Sequence, residues 1–141
     1  MLDQTLSFIK KLIPQPVFRF FQPAYHWTLA KLSALIFGFP SNKMIVVGVT
    51  GTAGKSSTCY FTAQLLEAAG FKVGMITTTL FKIGEKEWLN DKKMTMLGRF
   101  QMQKMLWQMR RANCRVVVIE TSSQGVTQFR HLGINYDILV F

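Results

Sequence analysis

From residue 43 onward the chain alternates short apolar runs with longer stretches whose apolar positions recur at helical spacing. Met44 to Val49, Lys72 to Thr78, Arg115 to Glu120 and Tyr136 to Phe141 are the short runs, and each predicts a buried strand. Lys55 to Ala69 reads as a helix ending at Gly70. Gly98 to Ala112 reads as a second, with Phe100, Met102, Met105, Leu106 and Met109 as its apolar stripe. Between the second strand and that helix, LFKIGEKEWLND carries a glycine flanked by short alternating runs, which predicts a hairpin or a long loop. Strands alternating with helices predict an α/β fold with a mostly parallel sheet flanked by helices.

The first forty residues follow another pattern. All four prolines (Pro14, Pro16, Pro23 and Pro40) lie there. Ala24 to Phe39 predicts an aromatic-rich helix that follows Pro23 as a first-turn residue and stops at Gly38 and Pro40. A boundary near Ser41 and Asn42 separates a hydrophobic helical extension, residues 1–42, from an α/β domain, residues 43–141. The extension is expected first to pack on its own domain or a neighbour, and second to make peripheral membrane contact through residues 1–40, with lysines at the headgroups. Lys10, Lys11, Pro14 and Pro16 break its apolar run, unlike a signal peptide, and no segment reaches the ~20 unbroken apolar residues of a spanning helix.

Composition narrows the partners. Hydrophobic residues make up 49% and charged residues 17%, enough apolar side chain for a packed core and too little charge for disorder. Seventeen Lys and Arg against seven Asp and Glu give a net charge of +10, which favours anionic partners. The basic residues are scattered along the chain, so a nucleic-acid partner is not expected. Cys59 and Cys114 lie outside any C-x-x-C spacing, suggest neither a disulfide framework nor a zinc site, and fit a reducing cytoplasm.

The chemistry concentrates in MIVVGVTGTAGKSSTCYF: a strand, a glycine-bearing turn, then Lys-Ser-Ser-Thr opening a helix. Glycines let backbone approach phosphate, the helix start aims N–H groups at it, and a lysine adds a point charge. The general G-x-x-x-x-G-K-[ST] pattern needs glycine at position 49, where this chain has Val49, so the loop is the shorter Gly51-x-x-Gly54-Lys55. Ser56 offers a hydroxyl to magnesium. Glu120 ends the third strand at the carboxyl edge where open α/β sheets bind ligands, and a buried acid there calls for a cation.

TGTAGKSST, then IETSSQG, then FRHLGINYDILVF resemble the ATP-binding central domain of the Mur ligases, nearest to the tripeptide synthetases among them. The resemblance covers approximately residues 43–141. It implies an ATP-dependent, ADP-forming ligase of peptidoglycan precursor synthesis, adding an amino acid to a UDP-N-acetylmuramoyl peptide through an acyl phosphate in the cytoplasm; a place at the inner membrane surface is the second expectation for residues 1–40, apart from the resemblance. It implies that Gly51, Thr52, Ala53, Gly54, Lys55, Ser56 and Ser57 hold the ATP phosphates, with Lys55 catalytic. Ser56 and Glu120 are implied as Mg2+ ligands, and Thr95, Ser122 and Arg130 as contacts to the UDP-muramoyl substrate. Met96 and Leu97 stand where the tripeptide synthetases carry Thr-Pro, and Gln124 stands where they carry histidine. His131 is expected to be a packing or solvated histidine.

Three functional readings stay open at this point: the Mur-type ligase, a folylpolyglutamate synthetase-like ligase, and a noncatalytic nucleotide-binding or membrane-surface scaffold. The last apparent strand runs to Phe141, so the chain is expected to be the front part of a longer ligase, incomplete at its C-terminal end and inactive alone.

Overall fold

A computed structural model describes the backbone of residues 15–92 and 94–141, with side chains from residue 23 on. Helix α1 spans Gln15–Ile36. A 3-10 turn over Pro40–Lys43 leads into strand β1, Ile45–Val49, and helix α2, Lys55–Ala68. Strands β2 (Val73–Ile76), β3 (Leu80–Ile83) and β4 (Lys86–Leu89) follow. Helix α3 (Arg99–Arg111), strand β5 (Val116–Glu120), the short helix α4 (Ser123–Thr127) and strand β6 (Ile138–Val140) complete the order.

The sheet runs β4-β3-β2-β5-β1-β6. β1 lies parallel to β5 and β6, and β2 parallel to β5, while β2-β3 and β3-β4 are antiparallel. The expected mostly parallel α/β sheet is therefore present, with antiparallel pairing confined to the LFKIGEKEWL hairpin at one edge. Strand β5 inserts between β1 and β2, so the chain reverses direction across the sheet there and leaves a crevice at the carboxyl ends of its central strands.

Alternation along the strands sorts side chains to two faces. Val46, Ile76, Val117 and Ile119 pack with Met102, Leu106 and Met109 of α3. Val47, Val49, Val73, Met75, Val116 and Val118 pack on the other face with Cys59 and Ala63 of α2. Of the stripe expected on α3, the methionines and Leu106 do form core, but Phe100 is exposed at 53% and meets Phe37 edge-on at 5.0 Å. Trp107 likewise lies against Phe37, at 6.2 Å.

Helix α1 corrects one expectation. It begins well before Ala24, so Pro23 sits inside the helix instead of in its first turn. An internal proline removes one backbone donor and crowds the preceding turn, and the helix nevertheless continues through it. Ala30, Ser33 and Ala34 form the buried face of α1, at positions one helical turn apart. The closing turn is also seated in the domain: Ser41 is buried, and its Oγ accepts the Asn135 N–H at 3.1 Å.

Candidate functional site

The loop between β1 and α2 has the local chemistry of an anion site. Gly51 and Gly54 take φ values of 142° and 73°, a region in which a side chain is strained, and Gly54 directly precedes α2. Thr52, Ala53 and Gly54 are exposed, and no side chain caps the start of α2, whose first-turn N–H groups lack intrahelical acceptors. The Lys55 ammonium donates to the Gly51 carbonyl at 2.9 Å and closes the loop on itself. Val49, in place of the glycine of the longer pattern, is still strand: it is 2% exposed, and its carbonyl accepts the Thr121 N–H at 2.8 Å.

Register explains why Glu120 meets this loop. Val49 pairs with Glu120 across β1 and β5, so the residues following both strands emerge side by side. The Ser56 hydroxyl donates to Glu120 Oε2 at 2.7 Å, and the Thr78 N–H donates to the same oxygen at 2.8 Å. Glu120 is 3% exposed and, among the described residues, has no cationic side chain as partner. A buried carboxylate beside a serine hydroxyl at a phosphate loop suits magnesium, which takes one or two protein oxygens and completes its shell with phosphate and water. Among the described residues no cluster of three His, Cys, Asp or Glu offers an all-protein cage instead.

Burial first, then the negative charge of Glu120, push the Cys59 thiol up to about 12.

On the opposite face of the sheet lies a polar cavity of about 280 Å3, lined by Met94, Thr95, Met96, Ser122, Gln124, Gly125, Gln128 and Arg130. The structure thus brings Thr95, Ser122 and Arg130 into one pocket. Ser122 caps α4, its Oγ accepting the Gly125 N–H at 3.1 Å while its own hydroxyl proton stays available. Arg130 donates from Nη1 to the Met96 carbonyl and approaches the Met94 sulfur at 3.5 Å. Thr95 is tied to the phosphate side: the Thr78 hydroxyl donates to its Oγ1 at 2.9 Å. A hydrogen-bonded chain Ser56–Glu120–Thr78–Thr95 therefore runs from the phosphate loop to the cavity. His131 is half-buried outside the cavity lining, and burial lowers its pKa.

Sequence reasoning missed Thr78 and Gln128, and gave Gln124 only the place of a lost histidine. A run of three threonines ending a predicted strand was the available signal for Thr78. Its use depends on β2 lying next to β5, which chain order does not reveal.

Strand, glycine loop and lysine-serine helix start, with an acid on the adjoining strand, define an α/β domain of the P-loop type. Residues 49–141 match the family model of the Mur ligase middle domain, and the chain belongs to that family. It is 38% identical over 131 residues to the UDP-N-acetylmuramyl-tripeptide synthetase of Roseiflexus sp. (strain RS-1), an alignment covering 92% of this chain and 25% of that protein. To the UDP-N-acetylmuramoyl-L-alanyl-D-glutamate--2,6-diaminopimelate ligase of Corynebacterium efficiens it is 35% identical, over 80% of this chain and 21% of the relative. A solved structure of a ligase of that second name superposes with a TM-score of 0.62 at 25% identity, covering 68% of this chain and 19% of the other. The chain thus spans about a quarter or less of the length of these relatives.

Proposed function

We propose that the protein serves an ATP-dependent, ADP-forming ligase that adds an amino acid to a UDP-N-acetylmuramoyl peptide in the cytoplasmic synthesis of peptidoglycan precursors. In this reading residues 43–141 are the nucleotide-binding domain and residues 1–42 an extension, whose helix α1 packs on it through Ala30, Ser33 and Ala34. The observation that carries it is the chain Ser56–Glu120–Thr78–Thr95, because a ligase of this kind must hold a phosphate donor and a substrate carboxylate within reach of each other.

Gly51, Thr52, Ala53, Gly54 and Ser57 hold phosphate oxygens through backbone and hydroxyl groups, and Lys55 offsets the charge that develops on the transferring phosphoryl group. Ser56 and Glu120 hold magnesium. Bound Mg-ATP supplies the phosphoryl group that activates the substrate carboxylate as an acyl phosphate, open to displacement by the amino acid's amine. Thr95 and Ser122 orient the muramoyl peptide from the other face, and Arg130 pairs with an anionic group on it. Two relatives' names point to substrates of this class, and the D-glutamate in one of them carries two carboxylates, of which ligation consumes one.

Lys55→Ala in the intact protein tests the phosphate loop. Titration with a nonhydrolysable ATP analogue and magnesium is expected to show no binding, against clear binding by the wild type. Retained affinity in Lys55→Ala removes the phosphate-loop assignment. ADP release that depends on both a UDP-muramoyl peptide and an amino acid tests the reaction itself.

A further inference from the structure

Helices α1 and α3 pack against each other, and their outward sides carry side chains that the site does not use. Along α1, Tyr25, Leu32, Leu35 and Ile36 recur at helical spacing with Trp27 beside them, and all are exposed. Thr28 Oγ1 on the same side lies 3.0 and 2.9 Å from the Ala24 and Tyr25 carbonyls, so its proton is satisfied within the helix. Along α3, Phe100, Lys104, Trp107 and Arg111 stand at i, i+4, i+7 and i+11, one stripe of alternating aromatic and basic side chains. Phe37, just past α1, packs on the rings of Phe100 and Trp107, and the Arg111 guanidinium lies 5.0 Å from the Trp107 ring centre. The stripe on α3 is therefore continuous with the end of α1.

Neither helix contains an acid, whereas α1 carries Lys31 and α3 ends on Arg110 and Arg111. The acids of the described structure lie elsewhere: Glu67 on α2, Glu85 and Glu87 in the β3–β4 hairpin, Glu120 in the site and Asp137 before β6. Asp91, which shares a groove with Lys104, is paired with Lys92 at 2.9 Å. A second copy docked two-fold on this layer would set like charges against each other. A nucleic-acid backbone offers phosphates but nothing apolar for Leu32, Leu35 and Ile36. A bilayer offers both, headgroup phosphates at one depth and acyl chains below, with aromatic rings settling between them and lysine stems reaching up to the charge.

We propose that the outer sides of α1 and α3 form one surface that binds an anionic lipid bilayer, α1 supplying the apolar face and Lys104 and Arg111 of α3 the contacts to headgroup phosphates. Both helices run from the carboxyl edge of the sheet to its amino edge: His26 and Arg99 lie near the loop after α4, and the far ends lead into β1 and β5. A bilayer laid along them leaves the phosphate loop and the polar cavity to one side, open to water. The proposal stands apart from the ligase reading, since none of these surface residues belongs to the phosphate loop or lines that cavity.

The test uses the intact protein with two kinds of vesicle, phosphatidylcholine alone and phosphatidylcholine with phosphatidylglycerol in equal parts, both carrying brominated acyl chains. At low salt the mixed vesicles are expected to quench tryptophan emission, and the quenched fraction to fall in Trp27→Phe. Lys104→Glu with Arg111→Glu is expected to weaken affinity for the mixed vesicles by at least about tenfold, with melting temperature and affinity for a magnesium-bound ATP analogue unchanged. Lys104→Arg with Arg111→Lys, which keeps the charges, retains binding. Equal quenching by both kinds of vesicle, or affinity that survives the two charge reversals, overturns the proposal. Quenching unchanged in Trp27→Phe overturns it as well, because the contact then lies away from α1. No quenching of the wild type overturns it outright, and places another part of the chain, or a second copy, over this face.

Discussion

At the scale of single residues, Glu120 joins both sides of the site, accepting from Ser56 and from Thr78 through one oxygen. Glu120→Gln is a near-isosteric change: the amide oxygen still accepts both hydrogen bonds, but the negative charge is gone. The expected result is a fold of ordinary melting temperature with magnesium affinity weakened by at least about tenfold, read as the magnesium concentration that half-saturates nucleotide binding. An unchanged magnesium requirement assigns the metal elsewhere. Lys55 and Ser56 were legible from sequence because a phosphate loop is a local motif, its parts lying within one turn of chain. Glu120 was legible by its place at a strand end. The contact between them was not, since it depends on β1 lying beside β5, far apart in the chain.

At the scale of elements, α1 has two faces and the sequence showed only that it is apolar. The inner face packs: Gly133 comes so close that a Cβ there would meet the Ala30 carbonyl and the Ala34 Cβ at 3.1 Å. The outer face leaves Tyr25, Trp27, Leu32, Leu35 and Ile36 more than half exposed, with the Lys31 ammonium 6.0 Å from the Trp27 ring centre. Packing on the domain and contact with a lipid surface are therefore compatible uses of one helix, which is why periodicity alone could not choose between them. Among the described residues no helix is long and apolar enough to cross a membrane, while an exposed apolar face with a lysine beside it is of the kind that lies along a lipid surface. The protein is expected to sediment with anionic vesicles at low salt, and Trp27→Ser with Leu35→Ser to reduce the bound fraction. Each basic residue near such a surface contributes about 1 kcal/mol, screened by salt. Absence from the pellet at low salt would show that the outer face does not meet lipid.

At the scale of the whole molecule, the strands and helices followed from apolar periodicity, while the order β4-β3-β2-β5-β1-β6 did not, because long-range pairing leaves no local mark. That order brings α1, α3 and the segment after α4 together around His26, Arg99, Gln103 and His131, each with a buried side-chain polar atom lacking a partner among the described residues. Gln103 Nε2 does reach the Gly133 carbonyl at 2.9 Å, so this junction is partly satisfied polar packing in which added charge is costly. Both histidines have folded pKa values below the ordinary 6.5, His131 through burial and His26 through burial and then Arg99. The fold thus favours the neutral imidazoles, and the unfolded chain binds more protons below 6.5. Their contribution to stability is complete above 6.5 and is lost as pH falls from there through the depressed folded values. The melting temperature should therefore drop between about pH 7.5 and about pH 5.5, and drop less in the double variant His26→Gln, His131→Gln, whose side chains do not titrate. Equal drops in the two proteins would place the acid sensitivity outside this junction and leave the packing of α1 against the domain independent of histidine charge.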